Sequence, residues 1–464
     1  MQKKEYQGLF TPLLGASLIL ALTAGFGLGA FMVGSLAGWW PAGGGWLALV
    51  QAHGHVQLFG WAGLFILGVG LYFLPRLRGV PLAQPKRVPW VAAALIAGIS
   101  LRALAQLALV LWPAAATAAA ARLGMALSGA LELLGVTLAV VLLGTTVRCE
   151  PPLRSRRGLW RTLPLLATAF FSFWTATALN ATLSAAAAIG GTLLLAPGWD
   201  RIVVHLMLHG FILPVAMAVS VQTLPLFLRL PVPANPGLRA IIAAYIGALG
   251  LQLLGMVLGW SRLAGMGNLV MGLALLAFIS LLDVLTRVRA PWTVKRVSEP
   301  GPGRRPTRPS LPDYGEFGRF EWLIYSAYAW LAVAALLLAG QGVAEFVGRP
   351  ATLAGDAARH ALTAGFVTLL ILGMAVRMLP GFTGMRLASP RLVEFLALIG
   401  NAAAVARVLP RLVPALPGAA ALIGLSGLLG WLVVALLSTE LWLTLHRRAN
   451  RAPVCRRRAK REVA

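Results

Sequence analysis

The chain has 464 residues, of which 59% are apolar and 12% charged, with a mean hydropathy of +0.80. Soluble chains of this length carry about a quarter charged residues, so a soluble enzyme, a disordered chain and a disulfide-rich secreted scaffold are all excluded, and a polytopic membrane protein remains. The formal charge of +26 would point to nucleic acid in a soluble chain. Here the basic residues lie in short loops between apolar runs and in the tail from His446 to Ala464, the positive-inside pattern of a membrane protein. No aromatic-interleaved basic stripe is present, so the expected partner is the lipid bilayer and not nucleic acid.

Met1 to Gln7 is short and basic, and the apolar run after it, Phe10 to Trp39, is too long for a signal-peptide core. It reads as a retained first span. About 20 apolar residues cross a bilayer as a helix, and twelve such stretches follow one another: 10–38, 48–75, 88–112, 117–147, 162–190, 201–225, 237–260, 263–286, 320–347, 356–380, 391–412 and 417–445. With the N-terminus inside, all but nine of the 40 Lys+Arg fall on the cytoplasmic side. Three of the nine, Arg102, Arg122 and Arg377, lie within spans and call for partners. Both termini are therefore expected in the cytoplasm, and 287–319, rich in Pro, Gly and Arg, is expected to be a cytoplasmic linker. Cys149 and Cys455 fall in cytoplasmic loops. No disulfide is expected, and without a CxxCH motif covalent haem attachment through cysteine is excluded.

The second, sixth and tenth spans align. His55, His205 and His360 are each followed five residues later by Gly (Gly60, Gly210, Gly365), then by an aromatic (Trp61, Phe211, Phe366), and twenty residues later by a Leu-Pro end at Pro75, Pro225 and Pro380. The spacings of 150 and 155 residues predict three four-helix repeats, at 1–150, 151–319 and 320–445, ahead of a basic tail at 446–464. Twenty helical residues rise about 30 Å, so each His is expected near the outer boundary and each Pro near the inner one.

Five of the six His residues, His53, His55, His205, His209 and His360, fall in this outer layer. Ionisable groups in spans are functional by default, and imidazole suits iron, copper and zinc. His205 and His209 are i, i+4 on one helix face, a spacing that suits one metal ion, copper or non-haem iron. His53 and His55 are i, i+2, so they serve two sites or one supports the other. Paired imidazoles among few carboxylates suit haem b, which slots between helices with its propionates at the outer surface. Arg359, Arg407, Arg411 and Arg102 are the candidate cations for those propionates. Glu132 is the one deeply placed carboxylate, suited to pairing with an Arg or relaying protons.

The segment from Arg359-His-Ala-Leu-Thr-Ala-Gly365 to Gly381-Phe-Thr-Gly384, with Arg377 before its end, resembles the NnrS family, and His53-Gly-His-Val-Gln-Leu-Phe-Gly60 is similar to that family's His-x-x-x-Phe-Gly stretch. The resemblance implies a haem- and copper-containing inner-membrane protein tied to nitric-oxide metabolism or nitrosative stress. It makes His55 and His360 ligands, with Arg359 and Arg377 as motif partners. More distantly, twelve helices in three arcs resemble subunit I of haem-copper oxidases and nitric-oxide reductases. That likeness implies that His55 and His360 sandwich the haem while His205 and His209 hold a second metal. The seventh span, with Ala243-Ala244-Tyr245, lacks the His pair of those enzymes.

Three functions follow from these residues. The first is an NnrS-type protein that binds, senses or processes nitric oxide or another diatomic gas, or passes electrons from a donor protein or quinol. The second is a divergent nitric-oxide reductase or quinol oxidase. The third is a twelve-helix metal or haem transporter. Whether the chain is an enzyme stays open at this level.

Overall fold

The computed structural model describes residues 2–41, 44–111, 115–149, 157–192, 194–228, 230–286, 317–349, 354–383 and 385–446. The expected linker at 287–319, up to residue 316, and the expected tail at 446–464, from residue 447, lie outside the described residues. Among the described residues there are helices and no strands.

Twelve helices are long and apolar enough to cross a membrane: α1 Thr11–Leu36, α2 Trp46–Arg78, α3 Pro85–Ala108, α4 Thr117–Arg148, α5 Gly158–Ile189, α6 Pro197–Phe227, α7 Asn235–Leu258, α8 Ser261–Leu282, α9 Phe320–Phe346, α10 Gly355–Pro380, α11 Leu392–Leu412 and α12 Ala419–Leu445. Each expected span is present, with ends that differ by a few residues. Two of the earlier starts fall where proline opens a helix, at Pro85 and Pro197, because the first turn does not use the missing N–H. The chain is a multi-pass membrane protein.

Burial divides the helices into two classes. The apolar windows of α2, α6 and α10 are 78%, 72% and 83% buried, whereas no other helix exceeds 56%. The three aligned helices are therefore the inner ones and the remaining nine face lipid. The chain also closes on itself, since α12 packs against α1 and the indole of Trp431 donates to the Leu22 carbonyl at 3.0 Å.

Each inner helix changes its winding directly after the aligned His. The π-helical turns run Val56–Gly63, Leu206–Ile212 and Ala361–Val367. A fourth, Ala21–Gly25, lies in α1. Such turns are frequent at functional sites. The aligned glycines sit inside them at close helix crossings. A Cβ on Gly210 would meet Ser172 Cβ at 2.6 Å, and one on Gly365 would meet Trp330 Cγ at 2.5 Å. The aligned aromatics Trp61, Phe211 and Phe366 are buried beneath, with Phe211 stacked on Phe173 at 4.2 Å and Phe366 edge-on to Tyr328.

Candidate functional site

The inner helices all run in one direction, so their five histidines gather at one end of the bundle. Two polar networks and one ion cluster fix these rings.

His55 is buried between α3, α4 and α5. Its Nε2–H donates to Glu132 Oε1 at 2.9 Å, and Arg102 donates to its Nδ1 at 3.1 Å. Arg102 has only donors, so the proton of a neutral imidazole must sit on Nε2. Neither ring nitrogen is left for a metal. Asn180 donates to Glu132 Oε2 at 3.0 Å and accepts from Arg102. Asp200, at the start of α6, approaches Arg102 at 3.7 Å. The network extends through Gln106 to Gln51, whose side-chain amide bonds both the N–H and the carbonyl of Leu195. Arg102 is thus held in this network by His55, Asn180 and Asp200.

His53 and His360 present the opposite arrangement. His53 Nδ1–H donates to the Gly25 carbonyl at 2.9 Å. Gly25 ends the π turn of α1 with ψ at −102°, which swings that carbonyl out of the helical ladder. His360 Nδ1–H donates to the Asp356 carbonyl at 2.9 Å and lies 3.1 Å from its carboxylate. In both rings the lone pair is left on Nε2, the pattern of a ligating His held by a carbonyl or carboxylate. His53 lies within electrostatic range of His360 and Arg407. Asp356 also gathers Arg411 at 3.1 Å and Arg407 at 3.5 Å. Arg407 keeps one buried terminal nitrogen, NH1, without a hydrogen-bond partner.

His205 and His209 stack at 4.3 Å between ring centroids. His205 Nε2–H donates to Gln252 at 2.9 Å, Gln252 donates to Asn268 at 2.7 Å, and Asn268 donates to Glu345 at 2.7 Å. Gln341 donates to the other oxygen of Glu345 at 2.7 Å. The carboxylate on α9 therefore orients two amides in series and leaves His205 its Nδ1 lone pair. His209 Nδ1 is buried without a partner, and Tyr245 donates to the His209 carbonyl at 2.6 Å. Among the described residues no three His, Cys, Asp or Glu side chains gather as a metal-holding group. Asn268→Leu should strand Gln252 and Glu345 together. The expected cost is about 1–3 kcal/mol, read as a lowered thermal midpoint of the detergent-solubilised protein.

The remaining arginines differ from one another. Arg359 is exposed beside His360 and within range of His209. Arg377 is 4% exposed near the other end of α10, where its guanidinium lies over Phe317 at 4.2 Å and Phe227 at 4.5 Å. It thus stands away from the histidines and braces the opposite end by cation–π contact. Arg122 lies on an exposed face and bonds the Ala118 carbonyl of its own helix. Asp356, Asp200, Asn180, Gln252, Asn268 and Glu345 were not visible as site residues in the sequence. Asp200 and Asp356 read as ordinary helix-start charges and Glu345 as a charge at a helix end, and the amides carry no spacing signal.

No curated protein matches the chain. Residues 318–448 match the family model described as NnrS protein. The match covers α9 to α12, and with them His360, Asp356, Arg377, Arg407 and Arg411. Over its last four helices the chain is thus similar to the NnrS family.

Proposed function

We propose that this is a haem- and metal-binding integral membrane protein of NnrS type, acting in nitric-oxide metabolism or the nitrosative-stress response through gas binding or electron transfer at its histidine end. The observation that carries the reading is the pair His53 and His360, each with Nδ1–H tied to a backbone carbonyl and Nε2 left free. The residues fit haem b. Two imidazoles offer nitrogen, and the unpartnered buried Arg407 NH1 beside Arg411 suits a propionate. Bound there, haem would supply an iron centre for a diatomic gas. The chain's own work is to hold the two rings through Gly25 and Asp356, to balance the propionates with Arg407 and Arg411, and to keep water away with buried aromatics. His55 then acts as the buried partner of Glu132 and Arg102, and His53 takes the ligand role.

His205 and His209, with a free Nδ1 on each, suit copper or non-haem iron whose other positions are filled by small ligands. The basic loops favour a bacterial-type inner membrane with both termini in the cytoplasm and the histidine end facing out. A donor protein or a quinol would supply electrons.

The test is an optical spectrum of the purified protein, oxidised and dithionite-reduced, with and without nitric oxide. A b-type Soret band that shifts with nitric oxide is expected. His53→Ala and His360→Ala should each remove most of it, while a folded His55→Ala keeps it. A colourless protein after expression with ample haem would sink the haem reading. A full band in His53→Ala would return the ligand role to His55.

A further inference from the structure

A second feature lies between the three inner helices, on the Leu-Pro side of the histidines. A partly open chamber, about 1130 Å³ of empty space counting its open side, is lined by α2, α4, α5, α6 and α10. The three inner helices enter it in the same register. In each, the residues ten, eleven, fourteen and fifteen positions after the aligned His line the wall. At the fifteenth position all three are small: Gly70, Ser220 and Ala375. The lining begins at Ile212 and Val367, seven positions or about 10 Å of helix rise beyond the aligned His, and runs from there toward the Leu-Pro ends.

Its chemistry is one-sided. Among the described residues Thr162, Ser220 and Gln222 are the only polar side chains in the lining, and Gln222 already donates to Thr162 at 3.2 Å. Water needs two to four polar partners to settle in a cavity, and this wall cannot provide them along its length. The surrounding solvent is a bilayer, so hydrocarbon chains are the abundant apolar molecules at this depth. The polar residues lie toward the Leu-Pro end, where Gln222 Oε1 faces Gly158 at the start of α5. A molecule with an apolar chain and a hydrogen-bonding head would meet both features.

We infer that the chamber converged on by α2, α6 and α10 is a binding site for the hydrocarbon chain of a membrane amphiphile, with its head toward Gln222. A phospholipid acyl chain and a prenylquinone tail share this chemistry. The inference does not depend on haem binding at the histidine end.

The experiment uses the full chain reconstituted in vesicles of phosphatidylethanolamine and phosphatidylglycerol. One arm adds phosphatidylcholine carrying a mid-chain diazirine, and the other a prenylquinone with a diazirine in its tail. After illumination, adducts are mapped by peptide mass spectrometry. Adducts on 65–73, 215–222 and 370–378 are expected from at least one probe, and the arm that gives them identifies the source. Nothing lies within 4 Å of a Cβ built on Gly70, so the side chain of Gly70→Leu starts in open space on the chamber wall. It should lower these adducts about tenfold, the effect of displacing two methylenes. Labelling at Leu104 on the lipid face, 63% exposed, should not change. Ala375→Leu is the second filling variant should Gly70→Leu fail to fold. Labelling confined to lipid-facing residues in both arms overturns the proposal, and so does chamber labelling that neither filling variant reduces.

Discussion

Arg102→Ala is expected to destabilise the protein by about 3–5 kcal/mol, the cost of leaving one member of a buried charged network without its counter-charge. Arg102 is 1% exposed and Glu132 is fully buried. Without the guanidinium, Glu132 keeps only His55 and Asn180, and His55 Nδ1 loses its donor. Asp200, whose side chain is 19% exposed, can turn toward water and should contribute least. The thermal midpoint of the purified protein reads the loss. Glu132→Ala should cost a comparable amount, and the double variant Arg102→Met/Glu132→Leu should cost much less than the two single changes together, because no buried charge is left unpaired. A sum close to additive would show that the two residues do not act through each other.

Gly342→Val is expected to cost about 1–3 kcal/mol or more, through overpacking at the crossing of α8 and α9. A Cβ at Gly342 would lie 2.6 Å from the Gly265 carbonyl and 2.9 Å from Leu269 Cα. These are backbone atoms, so no rotamer change relieves them and the helices must part. Small residues at membrane helix crossings exist to permit this approach. Separation would also stretch the Asn268–Glu345 bond that bridges the same two helices, so the variant should lose the orientation of His205 along with stability. Gly342→Ala should show the same effects in weaker form. A midpoint for Gly342→Val equal to that of the parent would refute the crossing.

Sequence reading recovers the helices because length and hydropathy carry them: twelve apolar runs become twelve spans, and the three with an aligned His become the inner ones. It recovers the site less well, for identifiable reasons. His53 and His55 differ by two positions, and spacing alone cannot say which keeps a free nitrogen. That depends on Arg102, 47 residues from His55, and on a carbonyl of Gly25, 28 residues from His53. Asp356 and Asp200 sit in first helical turns, where an acid is ordinary. Gln252, Asn268 and Asn180 each stand alone in an apolar run, and their meaning appears only when helices pack. The π turns leave no mark in composition at all.

Those π turns act as phase shifters. A helix advances about 100° per residue, and a π turn accommodates one residue that the α-helix would have wound further. Each inner helix therefore has two faces whose relative angle is set at 56–63, 206–212 or 361–367: one aims the imidazoles, the other aims the chamber wall. Deleting a single residue inside Val56–Gly63 would let the helix rewind. The half bearing His53 and His55 would then keep nearly its present angle to the half bearing Gly70, because the turn had already absorbed the residue removed, whereas the same deletion in the α-helical stretch between Gly63 and Gly70 would turn the two halves by about 100°. The histidine end and the apolar chamber are thus geared to each other through three turns of backbone, and a deletion in the regular helix beside those turns would set one against the other where a substitution would not.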